Sequence, residues 1–131
     1  RQDPGSPYSG VISIFANRIL SGEKITIFGD GEQTRDFIYV DDVVRYLIVA
    51  LNHASYAAPV FNVCTGKGTS INQLAQTAIK VAKKAVGIEY KPAREGDICY
   101  SVGKPEIAND TFNLSAKVDL ESGLKKLFYT L

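Results

Sequence analysis

The chain has no methionine, no tryptophan, one histidine and only two cysteines in its 131 residues. Cys64 and Cys99 are far apart with no C-x-x-C pair, so a zinc site lacks ligands. Cys64 sits in the apolar run Val60-Phe61-Asn62-Val63-Cys64 and reads as a small buried thiol, while His53 reads as a capping or solvated imidazole at a helix end. Neither charge sign is in excess. There are 15 Lys plus Arg against 14 Asp plus Glu, giving a net charge of +1, and the two signs are interspersed. No basic stripe exists to drive nucleic-acid or anionic-membrane binding, so any anion site is local. No apolar run approaches the roughly 18 residues of a membrane span, and no charged-then-apolar signal segment opens the chain, which predicts a cytoplasmic protein. The missing methionine and the turn-rich opening Arg1-Gln2-Asp3-Pro4-Gly5-Ser6-Pro7-Tyr8 read as a piece of something longer. What is present is ordinary globular composition, 45% hydrophobic, in a length that can bury a core as one domain or part of one.

Periodicity predicts a helix from Gly10 to Leu20, with Val11, Ile14, Phe15, Ile19 and Leu20 at helical spacing and Gly22 just past its end. Ile25–Phe28 reads as a strand, Gly29–Gly31 as a turn, and Asp36–Val40 as a second strand able to pair with the first. Asp41-Asp42 opens a helix ending near Ala54, whose buried face is expected to be Val43, Val44, Leu47, Ile48 and Leu51. Val60–Cys64 is a predicted strand and Thr65–Thr69 a loop. Ser70-Ile71-Asn72-Gln73 spells a capping box on a helix running to about Val86. Ile88–Tyr90 is a short strand, Pro92–Asp97 a loop, and a last helix starts at Asp119, while residues 98–118 carry no clear pattern. The mixture of short strands and helices argues for an α/β or α+β chain, without the regular alternation of a complete doubly wound sheet.

Three familiar patterns fail on their details. Strand, Gly66-Lys67-Gly68, then helix resembles the opening of a dinucleotide site, but Ile71 stands where the third glycine belongs. The same turn lacks the upstream glycine and the Ser or Thr of a Walker loop. Tyr100-Ser101-Val102-Gly103-Lys104 spells Y-x-x-x-K, yet Gly103 and Pro105 flank the lysine, so the pair is not expected on one helical face.

One constellation is chemically coherent. The run from Gly29 to Asp42 presents Arg35 at the base of a strand, and Arg94-Glu95-Gly96-Asp97 offers a second arginine in a loop. Two guanidiniums, always charged and matched to phosphate oxygens bidentately, can clamp a diphosphate. Asp97 can accept from both hydroxyls of a ribose diol, Phe28 offers a flat face to a pyrimidine, and the Ile25–Phe28 edge offers amides to read it. The residues alone also fit a soluble α/β domain whose arginines merely lie at strand ends.

The segments Arg1–Pro4 with Ser6–Phe15, Ile27–Val43 and Phe61–Gly66 resemble, in order, the C-terminal portion of NAD-dependent sugar epimerase/dehydratases, which are extended short-chain dehydrogenase/reductases. The similarity runs from Arg1 to about Asp97 and is weaker over 98–131. The chain is accordingly expected to be a single partial domain of a Rossmann-type fold, its substrate-binding part, with the NAD-binding part absent. The resemblance implies that Arg35 and Arg94 bind the diphosphate and Asp97 the ribose. It places Thr26 and Phe28 at the uracil and Tyr8, Ser9 and Val11 on the loop bordering the sugar nucleotide. Phe37 stands where some members carry tyrosine. The implied activity is UDP-hexose 4-epimerisation by transient oxidation at C4, with sugar-nucleotide dehydration or decarboxylation as the alternative within the family. A non-catalytic nucleotide-sugar-binding module is the alternative outside it. No catalytic residue and no NAD or metal ligand is expected in these 131 residues. The implied partners are a UDP-sugar and the missing N-terminal Rossmann part, in a parent that is a homodimer.

Overall fold

A computed structural model describes residues 10–53 and 59–130. Helix α1 (Val11–Ser21) follows the expected periodicity and ends at Gly22 in a left-handed conformation, φ 75°. There the Gly22 and Glu23 amides donate to the Ile19 and Arg18 carbonyls, closing the helix. Strand β1 (Ile25–Phe28) buries Ile25 and Ile27 and turns Thr26 and Phe28 toward the opposite, half-open face. Its neighbour is β4 (Ile88–Lys91), parallel to it from the Ile25–Ile88 pair to the Phe28–Lys91 pair. Helix α3 (Ile71–Ala82) carries the full capping box: the Gln73 amide donates to the Ser70 hydroxyl, and the Ser70 amide to the Gln73 side chain. Phe15 and Ile19 of α1, Ile25 and Ile27 of β1, and Ile71, Leu74, Ala75 and Ala78 of α3 share one core with Leu124 of α5 (Leu120–Thr130). Side chains as fully buried as Ile19, Ile25 and Leu74 contribute about 1.5–3 kcal/mol each.

A second sheet has β2 (Thr34–Asp36) at its centre, antiparallel to β3 (Gly68–Ser70) and parallel to β5 (Tyr100–Ser101). Beside it a smaller core joins Tyr46 of α2 (Val40–Leu51) to Ala108 and Phe112 of α4 (Glu106–Phe112), and the Tyr46 hydroxyl donates to Asn109. Residues 98–118, without pattern in the sequence, thus supply β5 and α4.

Several sequence expectations are corrected. The second strand ends at Asp36, and Val40 already begins α2. β1 and β2 lie in different sheets. Gly29 and Gly31 take φ of 79° and 78°, and the Gln33 side-chain Nε2 donates to the Phe28 carbonyl at 2.8 Å, so the chain leaves β1 too sharply to form a hairpin. α3 stops at Ala82 rather than Val86 because Lys83 turns left-handed, φ 52°. Within the expected loop 65–69, Gly68 and Thr69 join β3, whereas Val60–Cys64 forms no strand. The largest difference is in α2. It buries Asp42 and Tyr46, and the apolar side chains expected inside are exposed at Val44, Leu47, Ile48 and Leu51 and half-buried at Val43. Asp42 decides this orientation. Its carboxylate accepts from Arg45 at 2.6 Å and from the Lys117 and Val118 amides at 3.0 and 2.9 Å, holding that face of α2 against the segment leading into α5.

Burial alone pushes the Asp42 carboxyl up, but the Val118, Lys117 and Arg45 hydrogen bonds outweigh it and leave it below its ordinary value. Its contribution is therefore complete at pH 7 and lost as the pH falls below about 4. Asp42→Asn is expected to destabilise the chain by roughly 2–3 kcal/mol at pH 7, with the difference from the parent shrinking toward pH 3, as read by urea unfolding. Gly31→Ala is expected to destabilise by about 1–3 kcal/mol in the same assay, because its φ is positive and an added Cβ would meet the Asn72 side chain.

Candidate nucleotide-binding cleft

The parallel β1–β4 pair, α1 and the loop after β4 surround a cleft of about 330 Å³. Its shape follows from local sequence. Phe28 ends β1, the Gly29 amide donates to the Lys91 carbonyl, and the loop then brings the Arg94 guanidinium 3.7 Å above the Phe28 ring centroid. Arg35 enters from β2, where the Thr34 amide donates to the Cys99 carbonyl. Its guanidinium donates to the Ile98 carbonyl at 2.5 Å and to Asp97 at 2.8 Å. The Arg35–Asp97 pair is partly exposed, 26% and 36%, so it contributes little to stability and is open to competition by a ligand.

Of the residues the sequence singles out for the substrate, Arg35, Arg94, Asp97, Phe28, Thr26 and Val11 are brought together along this one cleft. Phe37 is not. Its ring packs against the main core and lines an apolar groove with Tyr39 and Leu124 instead. Tyr8 and Ser9 lie outside the described residues. Arg18, Lys91 and Gln33 were missed by sequence reasoning and line the cleft too. Arg18 was legible in principle, two helical turns beyond Val11 on the same face of α1; Lys91 depended on the β1–β4 register.

Thr26 is held on both sides. Its hydroxyl donates to Glu89 at 2.6 Å and accepts from Arg18 at 3.0 Å, and Arg18 also donates to the Lys24 carbonyl. The Thr26 hydrogen bond, more than the nearby Lys91, holds the Glu89 carboxyl below its ordinary value. Among the described residues four cationic side chains, Arg18, Arg35, Lys91 and Arg94, line the cleft with one carboxylate, Asp97, while Glu89 beside it is paired with Lys91 at 3.5 Å. Such a concentration of one sign in a concave site favours an anionic ligand carrying a flat ring.

The remaining sequence candidates have structural explanations. Tyr100 lies on β5 and Lys104 in the loop after it, so no helical face joins them. The Gly66–Gly68 turn is closed by its own chain. A Cβ on Gly66 would meet Pro105 and one on Gly68 would meet Thr34 and Val102, leaving this turn no open cradle for a pyrophosphate. Burial and the Asp36 carboxylate push the Cys64 thiol up, away from a reactive thiolate. His53 caps the end of α2, its Nδ1 2.9 Å from the Val49 carbonyl. Among the described residues no group of His, Cys, Asp and Glu is placed to hold a metal, and no helix is long and apolar enough to cross a membrane.

Residues 1–64 match the NAD dependent epimerase/dehydratase family. A UDP-glucose 4-epimerase of Mycolicibacterium smegmatis is 39% identical over 127 residues, covering 96% of this chain and 40% of that protein. UDP-glucuronic acid decarboxylase 1 of Arabidopsis thaliana is 33% identical over 119 residues, 89% of this chain and 26% of that protein. The crystal structure of UDP-glucose 4-epimerase from Thermotoga maritima with UDP-glucose superposes with a TM-score of 0.90 at 41% identity, over 98% of this chain and 41% of that one. The chain spans about 40% of the length of the UDP-glucose 4-epimerases it matches. With the motifs in order and the mixed α/β fold matched almost throughout, the chain belongs to the NAD-dependent epimerase/dehydratase family.

Proposed function

We propose that this chain is the UDP-sugar-binding part of an NAD-dependent UDP-hexose 4-epimerase. The observation that carries the reading is the convergence of Arg35, Arg94 and Asp97 around Phe28 in one cationic cleft. The Thermotoga maritima structure, a UDP-glucose complex, supports a sugar nucleotide as the occupant. The decarboxylase relative favours a second reading, in which the parent is a nucleotide-sugar decarboxylase using the same nucleotide-binding cleft. Neither reading asks this chain for acid/base groups. NAD and the catalytic tyrosine and lysine are assigned to the remaining length of the parent, as are its dimer contacts; a cytoplasmic location belongs to the same proposal. NAD supplies a reversible hydride acceptor for the sugar carbon.

The chain's own part is positioning. In the free cleft the Arg35 guanidinium donates to Asp97. A diphosphate offers the guanidinium a stronger, bidentate acceptor, and Asp97 is then released to accept from the two hydroxyls of the ribose diol. One ligand thereby exchanges a single intramolecular contact for two of its own. Arg94 faces the cleft over the Phe28 ring, placing a cation beside a surface on which a pyrimidine can lie. Anchoring the nucleotide end this way leaves the hexose free to turn while its reacting carbon is presented to the other part of the enzyme.

UDP is expected to bind the isolated chain in a calorimetric titration, more tightly than UMP and far more tightly than uridine, since the second phosphate engages the second arginine. Arg35→Ala and Arg94→Ala are each expected to weaken UDP binding by roughly tenfold or more. Arg94→Ala is expected to change stability by less than about 1 kcal/mol, because one exposed cation–π contact is lost. UDP affinity indifferent to both substitutions would overturn the reading, as would turnover of UDP-galactose with NAD by the isolated chain.

A further inference from the structure

Two arginines are enough to clamp a diphosphate, and the cleft carries two cations beyond Arg35 and Arg94. Lys91 is turned back along β4, its ammonium 3.5 Å from the Glu89 carboxylate. Arg18 is held differently. It reaches from α1 to the start of β1, where one nitrogen, Nη1, donates both to the Lys24 carbonyl at 2.9 Å and to the Thr26 hydroxyl at 3.0 Å. The Thr26 hydroxyl gives its own proton to Glu89 at 2.6 Å, so toward Arg18 it can only accept, and the direction of the contact is fixed. Nη2 and Nε of Arg18 make no hydrogen bond among the described residues, and the side chain lines the cleft. A guanidinium pinned through one nitrogen therefore keeps unused N–H donors at a set place in the site.

That place lies beside the aromatic surface. Thr26 and Phe28 share the half-open face of β1, two residues and about 6.6 Å apart along the strand. A pyrimidine lying against the Phe28 ring and extending toward the start of β1 brings one edge of its ring to the guanidinium. The charged side chains at this end offer that edge donors only, because the Glu89 carboxylate beside them is engaged by Thr26 and Lys91 and does not line the cleft. A donor-only end accepts a ring carbonyl and turns away a ring amino group, which would set donor against donor. Uracil carries carbonyls at both C2 and C4, whereas cytosine carries an amino group at C4.

We infer that Arg18 is a specificity-determining residue of the cleft, donating to a carbonyl of the bound base and so selecting a 2,4-dioxopyrimidine nucleoside diphosphate over a cytidine one. Thr26 and Glu89 are positioning residues that act through it. The inference rests on the nucleotide-binding reading and adds base selection to it, in a residue set apart from the two diphosphate arginines.

The test is a calorimetric titration of this chain with UDP and with CDP, which share ribose and diphosphate and differ only in the base. The unsubstituted chain is expected to prefer UDP by at least about tenfold, since CDP leaves a desolvated donor facing another donor. In Arg18→Met, which keeps an apolar stem without the donors, the preference is expected to fall to within about threefold, chiefly through weaker UDP binding. Thr26→Val removes the acceptor that orients the guanidinium; it is expected to lower the preference in the same direction and supplies the readout should Arg18→Met fail to fold. Two outcomes would overturn the inference: CDP bound as tightly as UDP by the unsubstituted chain, or a UDP-to-CDP ratio unchanged in the variants, which is what a purely structural tie between α1 and β1 would give. Either leaves the nucleotide-binding reading standing, because that reading is decided by the response of UDP affinity to Arg35→Ala and Arg94→Ala.

Discussion

The Asp36 carboxylate is the point around which the smaller sheet and the cleft are organised. One oxygen accepts from the Thr65 amide and hydroxyl at 3.0 and 2.5 Å; the other accepts from the Gly66 amide at 2.9 Å and, more weakly, the Gly103 amide at 3.4 Å. Two stretches distant in sequence, 65–66 and 103, are therefore tied to the end of β2 by one side chain. Neighbouring side chains on a strand point to opposite faces, so fixing Asp36 on one side of β2 sets Arg35 on the other, toward Asp97 and the cleft. Gly103 shows how close this assembly is: a Cβ there would run into the Cys64 side chain.

The cleft also depends on which elements share a sheet. Because β1 pairs in parallel with β4, Phe28 lies opposite Lys91, and the loop that follows β4 returns directly over the Phe28 ring. Because β2 pairs with β5 in the other sheet, Arg35 reaches the Ile98 carbonyl just before that strand. The groups that line the cleft thus come from both sheets and the loop between β4 and β5, and the Arg35–Asp97 pair joins β2 to that loop. A partly exposed ion pair holds such a junction loosely.

Several elements were legible in the sequence because their determinants are local. Helix α1 with its glycine stop, the Ser70–Gln73 capping box and the Ile25–Phe28 strand each depend on residues within a few positions of one another. Arg35, Arg94 and Asp97 were singled out for a different reason: motif order pointed to them, and the fold brings them to one cleft. Lys91 was not, since its place in the cleft depends on the β1–β4 register, and Arg18 was legible only through its helical spacing from Val11. Phe37 was placed with the ligand by its match to a family position that carries tyrosine in some members, whereas its side chain packs against the core.

Helix α2 separates most clearly what sequence by itself determined from what only the tertiary structure decided. Sequence determined that residues around Val40–Leu51 form an amphipathic helix with acidic residues in its first turn, because helical periodicity is a property of the segment alone. It did not determine which face turns inward. That was decided by the Asp42 carboxylate finding the Lys117 and Val118 amides some 75 residues away, together with Arg45, and by Tyr46 finding Asn109 on α4. A buried carboxylate with three donors outweighs an apolar stripe whose own burial requires surface these residues do not supply. The same reasoning covers Val60–Cys64. Its composition reads as a strand, while membership in a sheet needs a partner strand, and pairing is a property of two segments rather than one.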